Sequence, residues 1–291
     1  MFIPGWVTAG VGAVAVKTII PLVQEQRQAD GFALAFWNKV FSALWVAPFV
    51  IVLGLPSDTR FYAAIAATSL LWCIADVVYF RALPVVGAGP ISRLMPTTIF
   101  FTFILWFFYD HSLLARYLGH PGRSIFIAAL ILASTYFATR LKKCSMSRRA
   151  IYLIWPVLLA ATLGPMIQKF SLGHAAATQA PTAIVFVQAI MMIGFWAIYS
   201  FVKQPVSFSV INSGHAAKTA AVMSLFSAAA VTLQNVVLAH LAHPAYLPAL
   251  LLADSVFIVL IHRLMGRPDT GDVKAGFGAV ACAAALAFVK D

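Results

Sequence analysis

Two aspartates stand where a charge is expensive. Asp254 lies inside Leu250-Leu251-Leu252-Ala253-Asp254-Ser255-Val256-Phe257, and Asp76 lies inside the apolar stretch 61–83. An aspartate at the centre of a membrane helix is unfavourable by roughly 2.5–3.5 kcal/mol on insertion scales, so it must face protein and be paired, protonated or wet. For Asp254 two readings stay open: a structural hydrogen bond to a neighbouring helix, or a proton or substrate site. Trp72, Asp76 and Tyr79 are spaced by four and three residues, which puts them on one helix face. A carboxylate between two aromatics suits an amine or a flat polar ligand, through ion pairing and cation–π contact. Equally, it suits a partner Arg or Lys that holds helices together.

Cations and amides recur in the same kind of context. Lys17 and Lys169 each end a Gly-to-Lys motif, Gly12-Ala13-Val14-Ala15-Val16-Lys17 and Gly164-Pro165-Met166-Ile167-Gln168-Lys169. They either snorkel to the interface or project inward as point charges for an anionic group. Arg93 shares a face with Thr97, and Pro96 beside them loosens the helix. Pairing of Arg93 with Asp254 or Asp76 is one way such charges survive in lipid. Asn38, Ser42 and Trp45 share a face with Lys39 beside it, while Gln188, Trp196 and Asn235 add polar groups later. Such amides serve either as ligand contacts or as glue between helices. The substrate-binding candidates are therefore Lys17, Asn38, Trp72, Asp76, Tyr79, Arg93, Thr97, Lys169, Gln188 and Asn235. The proton-coupling candidates are Asp254 and Asp76. The excess of intramembrane cations (Lys17, Lys39, Arg81, Arg93, Lys169) leans toward a carboxylate- or phosphate-bearing substrate, zwitterions included.

These residues need membrane helices to position them. Apolar residues make up 62% of the chain and charged ones 10%, against roughly 45–50% and 25% in soluble domains. Glutamate occurs once, at Glu25. Too little polar surface exists to coat a soluble core. A crossing needs about 20 apolar residues, and the hydrophobic runs predict ten: 5–23, 33–54, 61–83, 86–108, 122–140, 150–170, 181–202, 216–240, 244–264 and 273–289. The first run has no basic segment before it and reads as a span rather than a signal peptide. Trp6, Trp106, Tyr109, Tyr117 and Tyr152 fall near span ends, where an aromatic belt is expected.

The net charge of +11 gathers between runs, as cytoplasmic loops require, and no stacking-and-phosphate module points to nucleic acid. Loops after odd-numbered spans hold Arg27, Arg140, Lys142, Lys143, Arg148, Arg149, Lys203, Lys218, Arg263, Arg267 and Lys274; the other loops hold Arg60, Arg116, Arg123 and Lys290. That bias places the odd loops in the cytoplasm and both termini outside. Cys73, Cys144 and Cys282 fit no disulfide or zinc spacing. No metal, cofactor or enzyme motif such as HExxH or GxSxG is found, and an enzyme is not expected.

The chain also repeats itself. Gly12–Lys17 is answered 152 residues on by Gly164–Lys169, Asp76-Val77-Val78 by Asn235-Val236-Val237, and Leu94-Met95-Pro96 by Leu251-Leu252-Ala253. Residues 1–141 and 150–291 form two five-span units joined by the basic segment 142–149. Five is odd, so the second unit enters from the opposite face. The expected fold class is an all-α membrane protein of ten transmembrane helices arranged as two inverted five-helix repeats, a known transporter signature.

The order of these motifs resembles EamA-like members of the drug/metabolite transporter superfamily. The likeness runs from the glycine-to-lysine motif through Ala82-Leu83-Pro84 and Leu94-Met95-Pro96 to Ile125–Ala133. It repeats from Pro244 through Leu251 to Gly276–Cys282. The resemblance implies a secondary transporter working by alternating access, with Lys17, Asp76, Pro96, Lys169 and Asp254 at family positions. It implies termini in the cytoplasm, opposite to the side the basic residues give. The expected function is transport of a small polar, zwitterionic or anionic, amino-acid-like metabolite across the cell (inner) membrane, with proton coupling through Asp254. The alternative is a carrier or flippase for a phosphate-bearing or lipid-linked compound. The expected partners are the small-molecule substrate and the lipid bilayer, with the protein a monomer or weak homodimer.

Overall fold

Helix boundaries follow local chemistry in the computed structural model, which describes residues 5–88, 91, 94–140, 148–203, 214–266 and 272–289. The described chain is 87% helix and has no strand. Its helices are α1 Gly5–Arg27, α2 Gly31–Leu53, α3 Thr59–Val86, α4 Pro96–Tyr109, α5 His111–Gly119, α6 Pro121–Arg140, α7 Arg148–Leu172, α8 Ala180–Lys203, α9 Gly214–His240, α10 Tyr246–Leu250, α11 Ala253–Leu264 and α12 Val273–Phe288. Aspartates start four of them. Asp30, Asp58, Asp110 and Asp272 each accept hydrogen bonds from backbone N–H groups of the first turn, which satisfies donors that the helix itself leaves open. Gly54 and Gly87 end α2 and α3 at φ 81° and 88°, a left-handed conformation that glycine adopts without steric cost.

Six helices are long and apolar enough to cross a bilayer: α1, α2, α3, most of α7, α8 and α9. A seventh is added if α4 and α5 count as one bent span. The protein is therefore a multi-pass membrane protein by length and composition.

Two of the expected spans are interrupted. The run 86–108 turns at Leu94–Met95 before α4, and the run 244–264 turns at Leu251–Leu252 between α10 and α11. Both turns are stitched by short-range backbone bonds, Leu94 N–H to Ile91 O (3.0 Å) and Thr98 N–H to Met95 O (3.0 Å), then Leu252 N–H to Ala249 O (3.2 Å) and Asp254 N–H to Leu251 O (3.1 Å). These i→i+3 bonds tighten the backbone and reset the helical phase. Pro96, which has no N–H to donate, opens α4. No proline stands at the matching Ala253.

A further correction concerns α5, a short helix set 104° from α4 that the apolar runs did not suggest. It carries Tyr117, whose hydroxyl hydrogen-bonds to that of Tyr246 at 2.5 Å. Tyr117 and Trp106 are thus buried packing residues, whereas Tyr109 and Tyr152 remain exposed as a belt requires.

Glycines set the closest helix contacts. A Cβ on Gly12 of α1 would meet Leu233 of α9 at 3.3 Å, and one on Gly164 of α7 would meet the Trp72 indole of α3 at 3.1 Å. Accordingly α1 packs along α9 and α7 along α3, while α2 lies on α8 and α9 and α6 on α12. Small residues at such crossings let backbones approach, which is how membrane helices gain dispersion contact without a hydrophobic driving force.

Candidate functional site

The helix breaks and the six helices α1, α2, α3, α7, α8 and α9 line one hollow of about 230 Å³. Both aspartates face it, and both are paired. Lys17 Nζ of α1 lies 2.9 Å from Asp254 Oδ2 of α11, and Lys39 Nζ of α2 lies 2.8 Å from Asp76 Oδ2 of α3. The carboxylates are the more buried partners, with side chains 10% and 12% exposed against 30% and 18% for the lysines. The break at Leu251–Leu252 has a direct consequence for Asp254. It moves the residue from the middle of a helix into the first turn of α11, where unsatisfied N–H groups and the helix dipole favour a carboxylate.

The two pairs differ in what they join. Lys39–Asp76 links two helices of the first half of the chain. Lys17–Asp254 reaches from the first half to the second. Among the described residues, two cations and two anions on the lining sum to no formal charge, in a place where an uncompensated charge is strongly unfavourable.

Polar groups complete the wall. Asn38, Trp72, Tyr79 and Gln188 line the hollow as the sequence predicts. Among the described residues the Asn38 carbonyl and the Trp72 indole N–H find no hydrogen-bond partner and are shut off from solvent, an unmet state that costs about 1–3 kcal/mol for each group in the apolar interior. Gln168, Gln234, Ser227 and Thr98 also line it, none of them among the predicted site residues. Gln168 and Gln234 each stand one residue before a predicted site residue. Lys39, noted beside Asn38 but left out of the candidates, is the partner of Asp76.

Three predicted residues lie elsewhere. Thr97 bonds back to Leu94 O at 2.7 Å within its own turn, and Thr98 faces the hollow in its place; the break at Leu94–Met95 shifts the phase by one residue. Lys169 neither snorkels nor enters the hollow. Its ammonium donates to Leu238 O (3.0 Å) and Ala239 O (3.3 Å), the open carbonyls at the end of α9, where a cation is favoured. Asn235 is fully buried off the lining, and among the described residues neither of its side-chain polar atoms finds a partner. Arg93 lies outside the described residues, as does most of the 142–149 connection. The pairing suggested for Arg93 therefore lies outside the described residues too; among the described residues, Lys17 pairs with Asp254 and Lys39 with Asp76.

Other polar residues are structural. Trp45 Nε1 and Ser42 Oγ both donate to Ser224 of α9 (3.1 and 3.4 Å), and Trp196 Nε1 donates to Cys73 O at 3.1 Å. No protein-family model matches this chain, and no curated protein is recognisably similar to it.

Proposed function

We propose that this protein is a secondary transporter of the EamA-like kind, carrying a small zwitterionic, amino-acid-like metabolite through the central hollow. The observation that carries the reading is the charge-balanced lining, Lys17–Asp254 and Lys39–Asp76, in a cavity walled by both halves of the chain. A zwitterion adds no net charge to such a site. Its carboxylate can share a lysine and its ammonium a carboxylate, with Trp72 and Tyr79 beside Asp76 for the cation. Both lysines described on the lining are already paired with carboxylates, which favours a zwitterion over a phosphate-bearing cargo.

Ten crossings in two oppositely inserted repeats are part of this proposal. Packing supports them: α1 lies on α9 as α7 lies on α3, α1 meets α11 as α7 meets α4, and α2 meets α9 as α8 meets α3. The two broken elements support them too, since discontinuous helices at a repeat interface are where transporters bind cargo. In this mechanism one half rocks against the other, in the cell membrane. The pair that spans the halves, Lys17–Asp254, parts and reforms during the cycle. A proton on Asp254 lets it part without exposing a bare carboxylate.

Proteoliposomes holding the purified protein test this. Saturable uptake of a labelled amino acid, competed by other zwitterions, is expected. Competition by polyprenyl phosphates instead would transfer the case to the alternative, and no uptake of either class would end it. Asp254→Asn should abolish the dependence on an imposed pH gradient; an unchanged dependence removes Asp254 from coupling.

A further inference from the structure

A second cavity, of about 140 Å³, opens between α5 and the start of α6, far in character from the first. Arg116, His120 and Arg123 surround it together with Ser124, and Leu113, Tyr117 and Ile127 form its apolar wall. From this cluster we infer a binding site for the phosphate headgroup of one anionic phospholipid.

The site lies at the right depth. If α4 crosses the bilayer, α5, set at 104° to it, runs along the membrane surface. Leu113 and Tyr117 of α5 point into the protein, while Leu118 (72%), Ile125 (70%) and Phe126 (51%) remain exposed around the cavity. Exposed apolar groups beside a cationic hollow mark the border between acyl chains and headgroups, where an amphipathic helix rests. A soluble anion would gain nothing from that apolar rim.

The chemistry also fits. Guanidinium groups present forked donors that match phosphate oxygens in pairs, which ammonium groups do not. His120 adds an imidazole to the rim, while the Ser124 hydroxyl is spent on the backbone, donating to Tyr117 O and His120 O. The neighbouring Asp110 accepts from Ser112 Oγ (2.7 Å) and Leu113 N–H (2.9 Å) at the start of α5, and Arg116 is close enough to act on its charge. On the face assigned by the loop charges, the cations are few, namely Arg60, Arg116, Arg123 and Lys290. Two of these converge on one cavity. Basic pockets at helix ends on a membrane surface are known to hold lipid phosphates.

The test titrates phosphatidylglycerol, phosphatidylcholine and inorganic phosphate into the full protein in neutral detergent, read by native mass spectrometry and thermal unfolding. Wild type should retain one phosphatidylglycerol and unfold at a higher temperature with it. The R116Q/R123Q variant should bind it about tenfold more weakly or worse, as expected when charge-assisted hydrogen bonds are lost. Arg60→Gln, on the same face but away from the cavity, should bind as wild type does. If R116Q/R123Q does not fold, Arg116→Gln alone carries the comparison. Equal retention in the cavity variant, equal loss in Arg60→Gln, equal binding of phosphatidylcholine, or stabilisation by inorganic phosphate without lipid retention would each overturn the assignment.

Discussion

Lys17 and Lys169 close the same motif at the same spacing, yet Lys17 faces the central hollow and Lys169 caps the end of α9. The reason lies at the matching position of α3. There the Phe80 carbonyl, the counterpart of Ala239, is left open inside the helix because Pro84 has no N–H to offer it; it receives a hydrogen bond from Gln24 at 3.0 Å, and Gln24 also reaches Ala29 O at 2.8 Å. With Gln24 serving that carbonyl, Lys17 is released to pair with Asp254. In the second half the lysine itself serves the helix end, and the neighbouring Gln168 turns inward. A shift of one residue is a rotation of about 100° around a helix. The first half therefore lines the hollow with Lys17, Lys39 and Asp76, and the second with Gln168, Gln188 and Gln234, plus Asp254. In the proposed repeat architecture the two halves share a scaffold, but one wall is ionic and the other mostly neutral.

The sharpest way to break this contrast is to split the ionic wall's own pair. Lys39→Met or Asp76→Leu alone strands a buried charge and should destabilise by about 3–5 kcal/mol, as removal of one partner of a buried pair does. The double variant, Lys39→Met with Asp76→Leu, should recover most of that in thermal unfolding while remaining inactive in uptake. Recovered uptake in the double variant would mean the pair is scaffolding only.

The two lysines come next. Lys169→Ala should lower stability by about 1.5–3 kcal/mol, the usual value for a hydrogen bond to a charged group, with uptake per folded molecule retained. Lys17→Ala should do the reverse, losing uptake while the protein still unfolds cooperatively. Exchange of these two outcomes would invert the comparison.

A smaller effect is expected on the neutral wall. Gln168→Leu or Gln234→Leu removes one neutral hydrogen bond of about 1 kcal/mol, so KM should rise about fivefold at similar stability. An effect as large as that of Lys17→Ala would show that the second half is not the passive wall.

The smallest effect tests a contact between the halves outside the membrane. Asp58, at the start of α3, lies 2.9 Å from His174 in the segment after α7. The backbone N–H of Arg60 and the His174 imidazole hold its carboxyl below the ordinary value of 3.8. A depressed carboxyl contributes stability that is present above 3.8 and lost as the pH falls through its lower folded value. Asp58→Asn should therefore lower the Tm slightly at neutral pH and make no difference in strong acid. A gap between variant and wild type that widens on acidification would remove the pair as a source of stability.

Much of the helical layout was legible in the residues. Long apolar runs bounded by Asp, Gly and Pro gave most helix ends to within a few positions, because caps and breakers act over one turn. The breaks at Leu94–Met95 and Leu251–Leu252 were not, and they decide which of Thr97 and Thr98 faces inward. The helix α5 was hidden for another reason. Nine residues with Arg116 and His111 among the leucines are too short and too polar to register as an apolar run, and their amphipathic pattern needs a neighbouring surface to have meaning.

What the sequence by itself determined is that aspartates and lysines are drawn into lipid-embedded helices and must find one another there, since the apolar composition leaves them no aqueous alternative. Which lysine meets which aspartate was decided by tertiary structure alone. Pairing depends on helix rotation, and rotation is set by side chains far away in sequence, such as Gln24 against Phe80 and Lys169 against Leu238, that compete for the same open carbonyls.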